Sequence, residues 1–493
     1  MFMKSWNVNY LHSNFYKGKV ILMKTDTIAA ISTAMTNSGI GIIRISGEEA
    51  ISIADSVFVN KKNERCLKSY KSHTIHYGFI TDDNGKIIDE VMISIMKAPN
   101  SYTMEDTVEI NCHGGIFIMQ KIMDIVLKAG ARTAQPGEFT KRAFLNGRID
   151  LSEAEAVMDV INSKNEFALQ ASVKQLKGSV SEIIKSLRDD ILYEIAFIES
   201  ALDDPEHISL EDYPEELSKK IKILKDKLKK LLDSADDGRI LKEGIHTVIV
   251  GKPNAGKSSL LNLLAGEEKA IVTQVPGTTR DIIEETISIN GITLHIIDTA
   301  GIRDTNDLVE KIGVDKAKKV MEEADLIIYI VDSSIKLDKN DYEIIQMIEK
   351  KNVIILLNKS DLITHVTEKD LEAAFSQILP VTEKGLSPLK IIKTSTKENV
   401  GINVLTETIK DMFFHGKISY NNEVYITNIR HKELIKDAYE SILQVQKSIE
   451  GEMPEDFYTI DLMSAYEKLG LIIGEAVEDD LVNEIFSKFC MGK

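Results

Sequence analysis

Hydrophobic positions change period several times along the chain. From Thr27 to Ser46, TIAAISTAMTNSGIGIIRIS gives two β-rich runs around an Asn-Ser-Gly turn, and strand-like runs follow at VMISIM (91–96) and TVEINC (107–112). Residues 23–140 therefore read as a small α+β domain. From Leu151 the residues Ala154, Val157, Ile161, Ala168, Leu176, Val180, Ile184, Leu187, Ile191 and Ile195 recur at helical spacing through Leu202, which predicts one long helix or two. Between His246 and Phe413 the runs HTVIVG, LHIID, LIIYIVD, VIILLN and KIIKTS each lead into a loop and a helical pattern. That alternation predicts an open, mostly parallel α/β sheet with its functional loops at the strand C-termini. DIIEETISI (281–289) and TLHIID (293–298), joined through Asn290-Gly291, predict a hairpin that adds an antiparallel edge strand. After Asn422 helical periodicity returns. Helices on both sides of the α/β block (245–414) imply one discontinuous helical domain, 141–244 and 415–493, into which the block is inserted.

Composition changes this picture little. At 493 residues the chain exceeds what one core organises, so several domains are expected, and no apolar run approaches the roughly 18 residues of a membrane span. Residues 1–22 make a poor signal peptide and read as an N-terminal extension, either disordered or an over-long start before Met23. Three cysteines, Cys66, Cys112 and Cys490, lack metal-ligand spacing and point to a reducing compartment, the cytoplasm. A net charge of −17 excludes a generic nucleic-acid coat, so any nucleic acid must be met by a local basic patch or through a partner. The lysine-rich stretch LSKKIKILKDKLKKL invites a nucleic-acid reading. Leu217, Ile221, Leu224, Leu228 and Leu231 form an apolar stripe, however, so the lysines read as the solvated face of a helix.

Chemistry concentrates in the α/β block. GKPNAGKS (251–258) fits G-x-x-x-x-G-K-[ST] between a strand and a helix. In such a loop Gly251 and Gly256 let backbone amides close around phosphates, with Asn254, Ala255 and Ser259 in the same turn. Lys257 reaches the terminal phosphates and Ser258 offers its hydroxyl to Mg²⁺. The next strand ends in Asp298, the acidic residue expected on the Mg²⁺ side, followed by Thr299, Ala300 and Gly301, whose amide reports the γ-phosphate. Asn358-Lys359-Ser360-Asp361 ends a further strand. A carboxylate at Asp361 accepts two hydrogen bonds from guanine and would be left unpaired by adenine, so GTP is preferred over ATP. After the DTAG turn stands Ile302, where Ras-type GTPases carry a water-orienting glutamine.

PGTTRD (276–281), DTAGIR, APNSYT (98–103), PGEFTKRAFLNGRIDLSEAEA (136–156) and a terminal FCMGK, in this order, resemble the MnmE (TrmE) family of tRNA-modifying GTPases from Met23 to Lys493. The resemblance implies a multidomain α+β and α/β architecture: an N-terminal folate-binding α+β domain, a discontinuous helical domain and an inserted Ras-like P-loop GTPase domain. It implies a homodimer that works with the FAD-dependent protein MnmG as a heterotetramer. Together they would place an aminomethyl or carboxymethylaminomethyl group on carbon 5 of the wobble uridine of certain tRNAs.

In place of an arginine finger, the resemblance implies a K⁺ ion held by Asn254 with Thr273, Val275 and Thr278, in a GTP-binding switch that also includes Gln274, Pro276 and Gly277. Thr279 matches the second Mg²⁺ ligand and Glu310 the water-orienting catalytic residue, while Arg280 and Arg303 remain rival charge stabilisers. For 5-formyl- or 5,10-methylene-tetrahydrofolate the family's contacts fall on Arg44, Glu109, Arg148 and Lys493. Arg148 stands where some members carry Lys. Cys490 matches the family's catalytic cysteine, with Met491 for the usual Ile, and His113 reads as structural. The rival reading is a ribosome-assembly or RNA-binding GTPase, which would carry an RNA-binding module with a basic face.

Overall fold

The computed structural model describes residues 26–267, 284–289, 292–298, 321, 324–348, 352–378, 389–414, 424–475, 477, 479–489 and 492. It divides into two compact units, Met1–Glu155 with Ala476–Lys493, and Ala156–Glu475.

The first unit is built on β1 (Ile28–Ile31), β2 (Ser38–Ser46), α1 (Ala50–Val57), β3 (Phe58–Asn60), β4 (Thr74–Thr81), β5 (Ile87–Met96), β6 (Thr107–Gly114), α2 (Ile116–Lys128), β7 (Arg132–Thr133) and α3 (Glu138–Leu145). The strands form one sheet in the order β3-β4-β5-β6-β2-β1-β7. Alternation decides its faces. Ile43, Ile45, Ile93, Ile95, Val108 and Ile110 are buried in one cluster with residues of α1 and α2, such as Ala54 and Ile122. On the opposite face two rows stand in register, Tyr77–Met92–Asn111–Ile42 and Ile75–Ser94–Glu109–Arg44. Ile75, Tyr77 and Met92 in those rows are exposed. The strand-like runs of the sequence cover β1, β2, β5 and β6 but not β3, β4 or β7; in β4 the core-side positions opposite Ile95, Ile93 and Val91 are Thr74, His76 and Gly78, which dilutes the apolar signal.

Helical spacing from Leu151 resolves into α4 (Leu151–Asn162), α5 (Glu166–Leu176) and α6 (Ser179–Asp203), three helices where one or two were expected. The breaks have local causes. Asn165 is an N-cap whose side chain accepts from the Ala168 amide, and Gly178 takes the left-handed φ of +89°. In α7 (Tyr213–Glu243) the stripe Leu217, Ile221, Leu224, Leu228 and Leu231 is buried, so the lysines do lie on the outer face. These side chains pack with α6, α12 (Ile429–Glu450) and α13 (Glu455–Ile473) into one core.

Between the helices lies a second sheet: β8 (Ile245–Gly251), α8 (Lys257–Glu267), β9 (Glu284–Ile289), β10 (Ile292–Asp298), β11 (Leu326–Asp332), α9 (Lys339–Met347), β12 (Val353–Asn358), α10 (Glu368–Ile378), β13 (Lys390–Lys393) and α11 (Ile402–Phe414). Its order is β13-β12-β11-β8-β10-β9, parallel except for β9, the antiparallel edge of the expected hairpin. Strands β11 and β12 are buried on both faces, which is why they read as unbroken apolar runs.

The last helix, α14 (Asp479–Ser487), belongs by its contacts to the first unit, although helical periodicity alone groups residues 415–493 together. Phe486 meets Phe144 of α3 with ring centroids 6.2 Å apart, and Lys141 Nζ donates to Asn483 at 2.6 Å. A side chain at Gly137 would stand 2.5 Å from the Phe486 carbonyl oxygen.

Candidate functional site

In the α/β sheet the phosphate loop joins β8 to α8. Gly251 must be glycine because a Cβ would lie 2.5 Å from the Ile330 carbonyl oxygen of the adjacent β11. Gly256 holds φ at +111°, and a Cβ there would lie 2.2 Å from Asn358 Nδ2. Asn254 is left-handed at φ +62° and exposed. Ser258 and Ser259 are exposed on the first turn of α8. Lys257 Nζ folds back onto the loop, donating to the carbonyls of Gly251 at 2.8 Å and Lys252 at 2.9 Å.

Lys252 extends away from the loop. Its Nζ lies 2.7 Å from Asp341 Oδ2 and 3.0 Å from Asp338 Oδ2, the two carboxylates of the capping box of α9. Burial opposes the ammonium, but hydrogen bonds to Asp341 and Asp338 prevail and its pKa stands above the ordinary Lys value.

The base-reading loop follows β12. Asn358 is buried, and its Nδ2 donates to the Ala255 carbonyl at 2.8 Å while its Oδ1 accepts from the Thr396 amide at 3.1 Å. This side chain ties loops together. Asp361 is exposed, and Ser395 Oγ donates to its Oδ1 at 2.7 Å, a bond that holds its pKa below the usual carboxylate value. Lys359, at φ +62°, reaches Asp332 Oδ2 at 2.6 Å. Asp298 closes β10, paired in register with Ile249 of β8, so the end of β10 stands beside the strand that leads into the phosphate loop. Gln274, Pro276, Gly277, Thr299, Ala300, Gly301 and Ile302 lie outside the described residues, as do Thr273, Val275, Thr278, Thr279, Arg280, Arg303, Glu310, Cys490 and Lys493.

The first unit holds a cleft of about 620 Å³ lined by residues that include His73, Pro99, Tyr102, Met104 and Arg148. The Arg148 guanidinium lies over the Tyr102 ring, 4.8 Å from its centroid, and donates to the Tyr102 carbonyl at 3.1 Å. Arg44 lies 5.7 Å from the same ring and 5.6 Å from that of Phe139. Arg44 and Glu109 face each other across β2 and β6 and form an ion pair at 2.8 Å. Both Arg44 contacts end on Glu109 Oε1, and among the described residues Oε2 takes no bond. Arg44 Nη1 and Ser32 Oγ also donate to the Gly492 carbonyl, at 3.2 and 3.1 Å, which brings the neighbour of Lys493 to the same strand. Gly492 is obligatory here: its φ is +86° and a Cβ would lie 2.7 Å from the Ile31 carbonyl oxygen.

Thus three of the four expected folate contacts converge near Tyr102, although only Arg148 lines the cleft itself. Sequence reasoning missed Tyr102, Phe139 and Gly492. Each stands in a quoted motif, and it is their shared neighbour Arg44 that brings them together. His113 pairs through Nδ1 with the buried Asp89 at 2.7 Å. Burial pushes the neighbouring Cys112 thiol up to about 11, the state of an inert core cysteine.

Among the described residues no helix is long and apolar enough to cross a membrane. Residues 27–148 match the family described as GTP-binding protein TrmE N-terminus, and residues 151–490 match the MnmE helical domain. The tRNA modification GTPase MnmE of Lachnoclostridium phytofermentans is 55% identical over 471 residues, covering 96% of this chain and all of that protein. Its namesake in Acetivibrio thermocellus is 49% identical over 473 residues, again 96% of this chain and all of the relative. With both flanking domains matched and relatives aligned along their whole length, the chain belongs to the MnmE family of tRNA modification GTPases.

Proposed function

We propose that this chain hydrolyses GTP and, with the FAD-dependent MnmG, adds an aminomethyl or carboxymethylaminomethyl group to carbon 5 of the wobble uridine of certain tRNAs in the cytoplasm. The carbon would come from 5-formyl- or 5,10-methylene-tetrahydrofolate. The single observation that carries the reading is full-length similarity to proteins named tRNA modification GTPase MnmE. The convergence of phosphate and base loops on Asn358 supports its GTP half.

The residues suit the groups proposed. Hydroxyl oxygens are hard donors of the kind Mg²⁺ takes, and the ligands proposed are Ser258, exposed on the first turn of α8, and Thr279, with Asp298 as the acidic residue of the Mg²⁺ side at the end of β10. Asn254 offers an exposed amide oxygen to K⁺ beside the phosphates, completed by Thr273, Val275 and Thr278. When bound, the two cations supply positive charge against the oxygens on which charge builds as the phosphate bond breaks. The chain's own share is to grip the triphosphate with the loop amides and Lys257, to read guanine with Asp361, and to orient water with Glu310. In the first unit a cleft of about 620 Å³ is of the size that holds a small cofactor. Arg148 suits a folate carboxylate, Tyr102 offers a ring to stack on, and Glu109 Oε2 suits a pterin N–H. The apolar row Tyr77–Met92 on the uncovered sheet face supports the homodimer, since such patches mark interfaces.

Nucleoside mass spectrometry of total tRNA from cells lacking the protein tests the reading. Loss of the wobble modification, restored by the wild type but not by Cys490→Ser, is expected. Unchanged nucleosides would overturn it and bring a ribosome-assembly GTPase forward.

A further inference from the structure

We propose that Lys252 is a positioning residue of the phosphate loop, a strut seated on the buried carboxylate of Asp341 that holds the loop in the shape that receives a nucleotide. The inference rests on the GTP-binding reading of that loop. It extends that reading to a residue whose position in G-x-x-x-x-G-K-[ST] carries no assigned role.

The strut is continuous from the sheet to the loop. Tyr329, fully buried in β11, donates through its hydroxyl to Asp341 Oδ1 at 2.9 Å. Asp341 Oδ2 accepts from the Asp338 amide at 2.9 Å and from Lys252 Nζ at 2.7 Å, so this carboxylate, 1% exposed, has no freedom to follow the lysine. At the other end the Lys252 carbonyl accepts from the Ala255 amide at 3.3 Å and from Lys257 Nζ. Fixing the Lys252 side chain therefore fixes the carbonyl around which the next three residues turn. A long flexible side chain is an improbable strut in water, because holding it costs rotamer entropy. Here two carboxylates meet one ammonium in a site where bonds to charged groups are strong. Without the strut the ligand itself must order the turn. That cost falls on GTP and GDP alike and leaves the bond-breaking step untouched, the signature of lost uniform binding.

The test is titration of the full chain with fluorescent mant-GTP and mant-GDP, alongside steady-state GTP turnover. Lys252→Met is expected to weaken both nucleotides about tenfold while kcat at saturation changes less than about twofold. Lys252→Arg, which keeps the charge and the reach, should return affinity to within about threefold of wild type. Because Lys252→Met strands a buried carboxylate, Lys252→Met with Asp341→Asn is measured as well. It should recover thermal stability yet keep the weak binding. Wild-type affinity in Lys252→Met, or full recovery of affinity in the double variant, would overturn the strut alone. A wild-type protein that binds no mant-GTP would overturn the GTP reading beneath it.

Discussion

The side-chain amide of Asn358 donates to the Ala255 carbonyl at 2.8 Å, so one residue of the base-reading loop holds the floor of the phosphate loop. Asn358→Ala leaves that carbonyl and the Thr396 amide without their partner in a dry site. At about 1–3 kcal/mol for a stranded group, affinity for GTP and GDP should fall roughly 5- to 150-fold. Gly256→Ala pushes a methyl into the same amide and should do the same. Isothermal titration checks both, and wild-type affinity in either variant would show the bridge to be idle.

Guanine selectivity should reside in Asp361. Its carboxylate is kept ionised by the Ser395 hydroxyl, and it offers acceptors only. Asp361→Asn replaces one acceptor with a donor, which suits xanthine better than guanine. Turnover of XTP relative to GTP should rise by about a hundredfold or more, on the scale of discrimination by buried polar pairs. Competition assays with both nucleotides read it directly.

Lysines on α7 should matter little to folding and the stripe beneath them a great deal. Leu228→Ala, at a fully buried position, should cost about 2–5 kcal/mol in urea unfolding. Lys229→Ala, on the exposed face, should stay within about 0.5 kcal/mol. Equal losses would mean the basic face is packed against something.

Burial by itself raises the Glu138 pKa, but hydrogen bonds from Arg132, the Gln135 amide and Arg142 outweigh it and leave it below its ordinary 4.5. A carboxylate depressed on folding contributes stability that is complete above 4.5 and is lost as pH falls through the lower folded value. Glu138→Gln should therefore weaken hydrogen-exchange protection of residues 26–145 most above that pH, and the gap to wild type should close on acidification. A gap that widened in acid would reverse the sign argued here.

With an isoleucine, Ile302, where a water-orienting glutamine would stand and an exposed Asn254 in the phosphate loop, GTP turnover should rise by about tenfold or more in KCl over NaCl at equal ionic strength. Equal rates in the two salts, together with loss of activity in Arg280→Ala or Arg303→Ala, would hand the role to arginine.

Much of the architecture was legible because its causes are local. Strands β11 and β12 announce themselves as apolar runs, and Asn290-Gly291 marks the β9–β10 hairpin. The three nucleotide motifs stand at strand ends by their own patterns. What stayed hidden depends on distant partners. Lys252 is 89 residues from Asp341, and Arg44 is 448 from Gly492, separations at which no periodicity speaks. The breaks at Asn165 and Gly178 escaped notice because the apolar phase continues across them. Strand β4 stayed hidden because its core-side positions are Thr74, His76 and Gly78 before Ile80, so the inward row carries little apolar signal.

The contact of Gly492 with Arg44 and Ser32 also sets a schedule for biosynthesis. The N-terminal sheet leaves the ribosome early, since domains fold as they emerge at about 5–20 residues per second. The seam beside Arg44 closes only when residue 492 arrives, after 460 residues have separated it from Ser32. A nascent chain can therefore pair the strands of its N-terminal sheet while the wall of the Arg44 site that Gly492 supplies is still to come.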